Sequence, residues 1–224
     1  MTRPDDFLHV VFGATGAIGG AVVGELLREG RSVRAVSRRG RAPEGAQGVA
    51  ADAADPAQAA AAAAGAAVVY HCANPPYTKW PQLFPPLTRS ILGAAESSGA
   101  TLVFADNLYA YGPVDGPLRE DLPALAHGRK GRVRAEMAAE LLDADRDGRA
   151  RVAIGRASDY YGPHGTGSVA GMFSPLLREM RETTYQFRAP FVIDASKFGA
   201  AFGRLEPTPH RDAVTQTVAW YRSR

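Results

Sequence analysis

Val10-Val11-Phe12-Gly13-Ala14-Thr15-Gly16-Ala17-Ile18-Gly19-Gly20 is the stretch on which the interpretation of this chain depends. It predicts a buried strand, a glycine turn and the start of a helix that continues to Leu27. A strand that leads into a helix presents free backbone N–H groups and the positive end of the helix dipole, and a pyrophosphate binds to both. Gly13 allows the tight turn, Gly16 the close approach of the phosphates and Gly19 the close packing of helix on strand. The stretch therefore predicts a dinucleotide-binding site.

The second predicted strand, Ser32 to Ser37, bears on which dinucleotide is bound. Sites that select NAD have an acidic residue at the end of this strand, where it binds the ribose 2′-hydroxyl. Here the strand is followed by Arg38 and Arg39, and a guanidinium pairs with a 2′-phosphate. NADP is therefore favoured over NAD. The alternative is a basic turn that contacts only solvent.

The third predicted strand, Gly48 to Asp52, ends in an acid that could accept the adenine amino group or be an ordinary turn residue. Asp55 and Pro56 then predict the start of an alanine-rich helix through Ala64, because aspartate is a favoured N-cap and proline a favoured first helical residue.

Strands and helices continue to alternate as far as residue 155, with predicted strands at 66–72, 101–105 and 151–155. Six such alternations with short connections predict an α/β fold of the Rossmann type, a doubly wound parallel sheet with helices on both faces, over residues 1–165. Ligands bind at the carboxyl ends of the strands in such sheets. We therefore expect Asn74, the segment Asn107–Tyr111 and the segment Ser158–His164 to lie near cofactor or substrate.

Composition excludes several classes of protein. The 224 residues are 46% hydrophobic and 22% charged, which fits one globular domain or a domain with a small appendage. The net charge of +3 comes with no basic cluster interleaved with aromatic residues, so nucleic-acid binding is not expected. No apolar run is long enough to cross a membrane and none near Met1 is typical of a signal peptide. The single cysteine, Cys72, fits a reducing cytoplasm, and the five histidines show no metal-ligand spacing.

The spacing of Gly13, Gly16 and Gly19 resembles that of the extended short-chain dehydrogenase/reductase superfamily, the NAD(P)-dependent epimerase/dehydratase group. Other residues fall where that group has similar ones: Asp52, Ala73, Tyr111-Gly112, Tyr161-Gly162-Pro163, Pro207-Thr208-Pro209 and Trp220-Tyr221. From the glycine motif, the basic turn after the second strand, the strand ends and this resemblance taken together, we expect the cofactor to contact Gly13, Thr15, Gly16, Ala17, Ile18, Gly19, Arg38, Arg39, Asp52, Ala53, Ala73 and Asn74.

The proton relay of that group is absent. Its members use a Ser or Thr with a Tyr-x-x-x-Lys pair, in which the tyrosine transfers a proton and the lysine lowers its pKa. Counting back from Glu136, the lysine position is Arg132 and the tyrosine position is Gly128, while Asn107 occupies the Ser/Thr position. Arginine stays charged and cannot shuttle a proton. We place Asn107, Tyr111 and Arg132 at the catalytic position, and the candidate proton donors are Tyr109, Tyr111, Tyr160, Tyr161, His127, Lys130 and His164.

The second departure is length, since residues 166–224 form only a shortened substrate-side appendage. It is predicted to contain a helix from Met172 to Thr184, a short strand at 191–194 and a terminal helix from Arg211 to Arg222. Compared with extended members of that group, a central segment of the substrate domain is expected to be absent between Gly165 and Met172, through a natural deletion, an engineered deletion or a disordered stretch left out of the numbering. Related folds often dimerise through a four-helix contact, for which the helices at 83–98 and 132–145 are the candidates here.

Three functions remain open at this point. The first is an atypical NADP-dependent oxidoreductase of the epimerase/dehydratase type that acts on a small organic molecule. The second is a non-redox isomerase, cyclase or dehydratase, in which Asn107, a tyrosine or a histidine polarises a carbonyl. The third is a binding module that reports NADP(H) occupancy to a protein partner. Fold alone does not separate them, because function resides in the site.

Overall fold

The computed structural model describes residues 7–158, 181–188, 190–203 and 208–222. The first of these ranges contains a six-stranded sheet, and the other three contain short helices. In chain order the strands are β1 (Leu8–Phe12), β2 (Ser32–Ser37), β3 (Gln47–Ala50), β4 (Val68–His71), β5 (Thr101–Asn107) and β6 (Arg151–Ala157). The α-helices are α1 (Ala17–Arg28), α2 (Pro56–Ala63), α3 (Trp80–Ser98), α4 (Arg129–Arg146), α5 (Ser196–Phe202) and α6 (His210–Arg222).

All strand pairs are parallel, in the order β3-β2-β1-β4-β5-β6. The order reverses beside β1, so the carboxyl ends of β1 and β4 flank a crevice at the point where the two halves of the sheet meet. The prediction of a doubly wound parallel sheet is confirmed.

The core lies in two layers. On one face, Val11 of β1 packs with Val23 and Leu26 of α1. On the other face, α2, α3 and α4 cover the sheet, and Phe84, Phe104 and Met137 are among its fully buried side chains. Burying such side chains contributes about 1.5–3 kcal/mol each, and this layer holds the strand ends that border the crevice in place.

Local signals account for most element boundaries. The carboxylate of Asp55 accepts hydrogen bonds from the N–H groups of Ala57 and Gln58 and so caps α2, as predicted. Gly99 has a φ of +67° and ends α3 in the left-handed conformation. However, α3 begins three residues before the predicted start at Leu83, because Pro81 is tolerated in the first turn and Trp80 is buried.

Two expectations for the later chain are corrected. Residues 191–194 do not form a strand, since only Ile193 makes a parallel bridge, to Leu118. In addition, α4 begins at Arg129, three residues before Arg132. The predicted helix from Met172 to Thr184 and the predicted site residues Tyr160, Tyr161 and His164 lie outside the described residues, apart from residues 181–184, which form a 3₁₀ helix.

Large apolar side chains are exposed mainly in the described parts of the tail. Phe187, Phe202, Val214 and Tyr221 are each at least half exposed, whereas Leu142 is the exposed large apolar residue of α4. No helix in the described ranges is long and apolar enough to cross a bilayer.

Candidate dinucleotide site at the carboxyl edge of the sheet

The turn after β1 leaves no room for a side chain at two of its neighbouring glycines, Gly13 and Gly19. Gly13 has a φ of +80°, and a Cβ there would lie 2.6 Å from the Cα of Ala73. A Cβ on Gly19 would collide with the carbonyl oxygen of Gly13. The turn therefore lies against the backbone just after β4, the start of α1 packs on the turn, and only glycine fits at both positions.

The first turn of α1 is left open to a ligand. Gly16 is the N-cap of this helix, no side chain caps it, and its first turn contains no acidic residue. Thr15 and Gly16 are exposed, and Ala17 and Ile18 are half-buried. The unpaired N–H groups and the dipole of α1 thus point into the crevice between β1 and β4, where an anion binds favourably.

Arg38 and Arg39 lie in the turn directly after β2, and both are exposed. The N–H groups of Gly13 and Ala14 donate to the carbonyl oxygen of Val36, which ties this end of β2 to the glycine turn. Asp52 is also exposed after β3, and its carboxylate accepts a hydrogen bond from the N–H of Ala54. Ala53, half-buried, follows Asp52 in the same turn.

The crevice is bordered on the β4 side by Ala73, which is half-buried, and Asn74, which is exposed. The chain then enters a 3₁₀ turn at Tyr77–Lys79 that leads into α3. The indole N–H of Trp80 donates to the carbonyl oxygen of Pro75 at 3.2 Å, which holds this loop against α3. The residues predicted to bind the cofactor therefore all lie along one edge of the sheet.

The three predicted catalytic residues have different surroundings in the structure. The Oδ1 atom of Asn107, the last residue of β5, accepts a hydrogen bond from the N–H of Tyr109 at 3.1 Å. The ring of Tyr111 is buried, and its hydroxyl accepts a hydrogen bond from the Arg156 guanidinium at 2.8 Å. Arg132 is exposed and donates to the carbonyl oxygen of His127. Each of the three residues is therefore held by a hydrogen bond to another part of the protein, and these bonds do not join the three residues to one another.

A buried ion cluster forms around Asp106 of β5, and it was not predicted from the sequence. Asp106 is fully buried, and its carboxylate accepts hydrogen bonds from Arg134 at 3.2 Å and from Arg156 at 3.0 Å. The Arg134 guanidinium lies 4.3 Å from the ring centroid of Trp80 and 4.4 Å from that of Phe84. Two guanidinium groups satisfy this carboxylate, and the two aromatic faces contact the Arg134 cation, so the cluster holds β5, β6 and α4 together.

The start of α4 forms one wall of a small cavity. The cavity has a volume of about 180 Å³ and is lined by residues that include Tyr109, His127, Gly131, Glu182 and Tyr185. Two of the predicted proton donors, Tyr109 and His127, thus line this cavity. Another candidate, Lys130, is buried, and its ammonium group donates to the carbonyl oxygen of Tyr77.

Two other chemistry-bearing residues have structural surroundings. His71 is fully buried beside Phe104 and Thr88, and burial together with the charge of Arg134 lowers its pKa to about 3. Burial raises the pKa of the Cys72 thiol to about 12. Neither environment activates a nucleophile or a base at neutral pH. Within the described ranges no cluster of three metal-ligating side chains is present.

The comparisons with known proteins agree with this architecture. The NAD dependent epimerase/dehydratase family model matches residues 9–193, and curated protein sequences yield no match. Among solved structures, the Bordetella bronchiseptica enzyme WbmH in complex with NAD+ superposes with a TM-score of 0.76 and 16% identity, over 97% of this chain and 99% of that chain. DesIV, a dTDP-glucose 4,6-dehydratase from Streptomyces venezuelae with NAD bound, gives 0.78 and 16%, over 97% of both chains. MoeE5 in complex with UDP-glucose and NAD gives 0.73 and 19%, over 97% of this chain and 99% of that chain.

At these identities the likeness to the solved structures is one of fold. The family model is the stronger finding, because it spans most of the chain, from β1 to the bridge at Ile193. The chain therefore belongs to the NAD dependent epimerase/dehydratase family.

Proposed function

We propose that this chain binds a nicotinamide dinucleotide along the carboxyl edge of its sheet and acts as an oxidoreductase on a small organic molecule. The observation that carries the proposal is the uncapped first turn of α1 facing a turn at Gly13 in which no Cβ fits. These residues fit the group, because a pyrophosphate needs N–H donors and a close approach to the backbone. When bound, the nicotinamide supplies hydride transfer, and the chain's own residues bind and orient the reactants.

NADP is the proposed form of the cofactor. Arg38 and Arg39 are exposed at the end of β2, where a ribose 2′-phosphate would lie. Three solved structures similar in fold contain NAD, so the experiment must compare the two cofactors directly. A nucleotide-linked sugar is the first substrate class to test, because MoeE5 was solved with UDP-glucose and DesIV is a dTDP-glucose 4,6-dehydratase.

The test is a fluorescence titration of the purified protein with NADPH and with NADH. We expect NADPH to bind more tightly, and Arg38→Glu to remove the difference by placing a carboxylate against the 2′-phosphate. Gly16→Asp should abolish binding of both, since a carboxylate would then occupy the pyrophosphate position. Glu44→Gln, at an exposed position after β2, serves as the charge-change control. Binding of neither dinucleotide by the parent protein would refute the proposal.

A non-redox reaction on the same scaffold is the second candidate. It is favoured by Gly128, which has no side chain to act as an acid, and by Arg132, whose guanidinium donates to His127. Turnover of a sugar nucleotide with no change of absorbance at 340 nm, at any stage of a single turnover, would support this candidate against the first.

A homodimer through α3 and α4 stays a prediction. Leu83 on α3 and Leu142 on α4 are the exposed large apolar residues of these two helices. If the four-helix contact forms, Leu142→Glu should shift the sedimentation coefficient from that of a dimer to that of a monomer. A parent protein that sediments as a monomer at all concentrations would contradict the prediction.

A further inference from the structure

A carboxylate from the tail lies where residue 128 has no side chain. Gly128 is the N-cap of α4, and a Cβ built on it would lie 3.0 Å from Oε2 and 3.4 Å from Cβ of Glu182. Glu182 Oε2 accepts a hydrogen bond from the N–H of Arg129 at 2.8 Å, and Oε1 accepts one from the N–H of Lys130 at 2.9 Å. Glu182 therefore takes the volume that a side chain at position 128 would enter, and two backbone donors fix its carboxylate there.

This carboxylate lines the cavity of about 180 Å³ described above, together with Tyr109 and His127. Whole small-molecule ligands occupy pockets of about 300–1,000 Å³, so this cavity accommodates only one end of a ligand. Tyr109 lies two residues after the end of β5, and a Cβ on Gly131 would contact the Tyr109 carbonyl oxygen. The cavity thus lies at the carboxyl edge of the sheet, on the β5 side of the crevice that starts at Gly13.

Charge is unevenly distributed around this cavity. Glu182 is the one acidic residue among its described lining residues. Asp106, the buried acid among the described residues, is paired with Arg134 and Arg156 and so offers no net negative charge. The cation Lys130 is turned toward Tyr77 and lies 4.3 Å from that ring.

We propose that Glu182 faces the nicotinamide end of the bound dinucleotide and favours the oxidised cofactor, whose nicotinamide ring is positively charged, over the reduced cofactor, whose ring is uncharged. The inference rests on the proposed dinucleotide site and goes beyond it, because it assigns to this residue the balance between the two redox states. The physical basis is Coulombic attraction, which acts on the pyridinium ring and not on the neutral dihydropyridine. Glu182 is a positioning and specificity residue in this role, and it takes the place of the absent side chain at position 128.

The experiment measures the dissociation constants of NADP+ and NADPH for the parent protein and for Glu182→Gln. If the parent prefers the unphosphorylated pair, NAD+ and NADH are used instead. We expect Glu182→Gln to weaken binding of the oxidised form by about fivefold and to change binding of the reduced form less than twofold. Asp143→Asn removes an equal charge from the far end of α4, where Asp143 pairs with Arg146, and should leave the ratio unchanged.

A second variant covers the case in which Glu182→Gln does not fold. Gly128→Ala keeps every charge but places a methyl group against the carboxylate, and should lower the affinity for the oxidised form in the same direction. Equal loss of affinity for both forms would mean that Glu182 only anchors the tail, and no change in either variant would also overturn the inference. Parent protein that binds neither form would overturn the proposed function itself, so the two failures are distinguishable.

Discussion

Asp106 shows how a single residue of this chain depends on partners that are distant in sequence. Its carboxylate lies in the layer between β5 and α4 and is paired with two arginines, one of which is itself buried between aromatic rings. Removing one partner of a buried ion pair leaves an uncompensated buried charge. The resulting loss of folding free energy is larger than the net stabilisation that the intact pair provides.

We therefore expect Asp106→Asn to lower the free energy of unfolding by about 3–5 kcal/mol, since the buried Arg134 and the partly buried Arg156 would both lose their counter-charge. Urea denaturation of the variant and the parent measures the difference. Asp121→Asn is the matched control, because Asp121 pairs with Arg119 on the surface, where such a pair contributes about 0–1 kcal/mol. Similar effects of the two substitutions would contradict this account.

The thiol of Cys72 gives a second prediction at the same scale. Its pKa of about 12 means that almost no thiolate is present at pH 8, although thiolate is the reactive form. The folded protein should react with a disulfide reagent at pH 8 about a hundredfold or more slowly than the chain in guanidinium chloride. Equal rates in the two states would show that the thiol is accessible and ionised, and would reopen a catalytic role for it.

At the scale of the element, α1 contains one glycine at which a side chain would collide and another at which a side chain would fit. A Cβ on Gly19 would collide with Gly13, whereas a Cβ on Gly24, which is exposed, meets nothing within 4 Å. Gly19 is thus required by the packing of the helix on the glycine turn, and Gly24 is a position where glycine only weakens the helix.

Gly19→Ala should therefore push the start of α1 away from the turn, lower the stability by about 1–3 kcal/mol and weaken NADPH binding more than tenfold. Gly24→Ala on the same helix should stabilise the protein by about 1 kcal/mol and leave the affinity unchanged. Thermal denaturation and the NADPH titration measure both effects. The account fails if Gly24→Ala weakens binding as much as Gly19→Ala does.

For the whole molecule, sequence reasoning succeeded where the cause of a structure is local. The Asp55-Pro56 start of α2 and the glycine turn at Gly13 depend on residues within a few positions of each other, and both were predicted. The start of α4 was placed three residues late, because its cap is the carboxylate of Glu182, 53 positions away from Arg129.

The ion cluster was missed for the same reason, since Asp106 meets Arg134 and Arg156 across 28 and 50 positions. No periodicity or short motif records such pairs. The available signal was an acid that directly follows the apolar run of β5, because a carboxylate is almost never fully buried without a partner.

The buried imidazole of His71 makes the stability of the whole fold depend on pH. Its pKa is near 6.5 in an unfolded chain and about 3 in the folded protein, so the unfolded state binds the extra proton. The stabilising contribution is thus complete above pH 6.5 and is lost as the pH falls from there toward 3, by about 2 kcal/mol at pH 5. His71→Phe removes the titrating group and suits the neighbouring rings of Phe84 and Phe104.

We expect urea denaturation at pH 7.5 and at pH 5 to show a smaller loss of stability in His71→Phe than in the parent, by about 2 kcal/mol. Carboxylates that titrate in this range act equally on both proteins, so the difference isolates the histidine. His210→Asn, which replaces an exposed histidine at the start of α6, should follow the parent. An equal loss in His71→Phe and the parent would mean that His71 is protonated without unfolding, through an opening of the layer between β4 and α3.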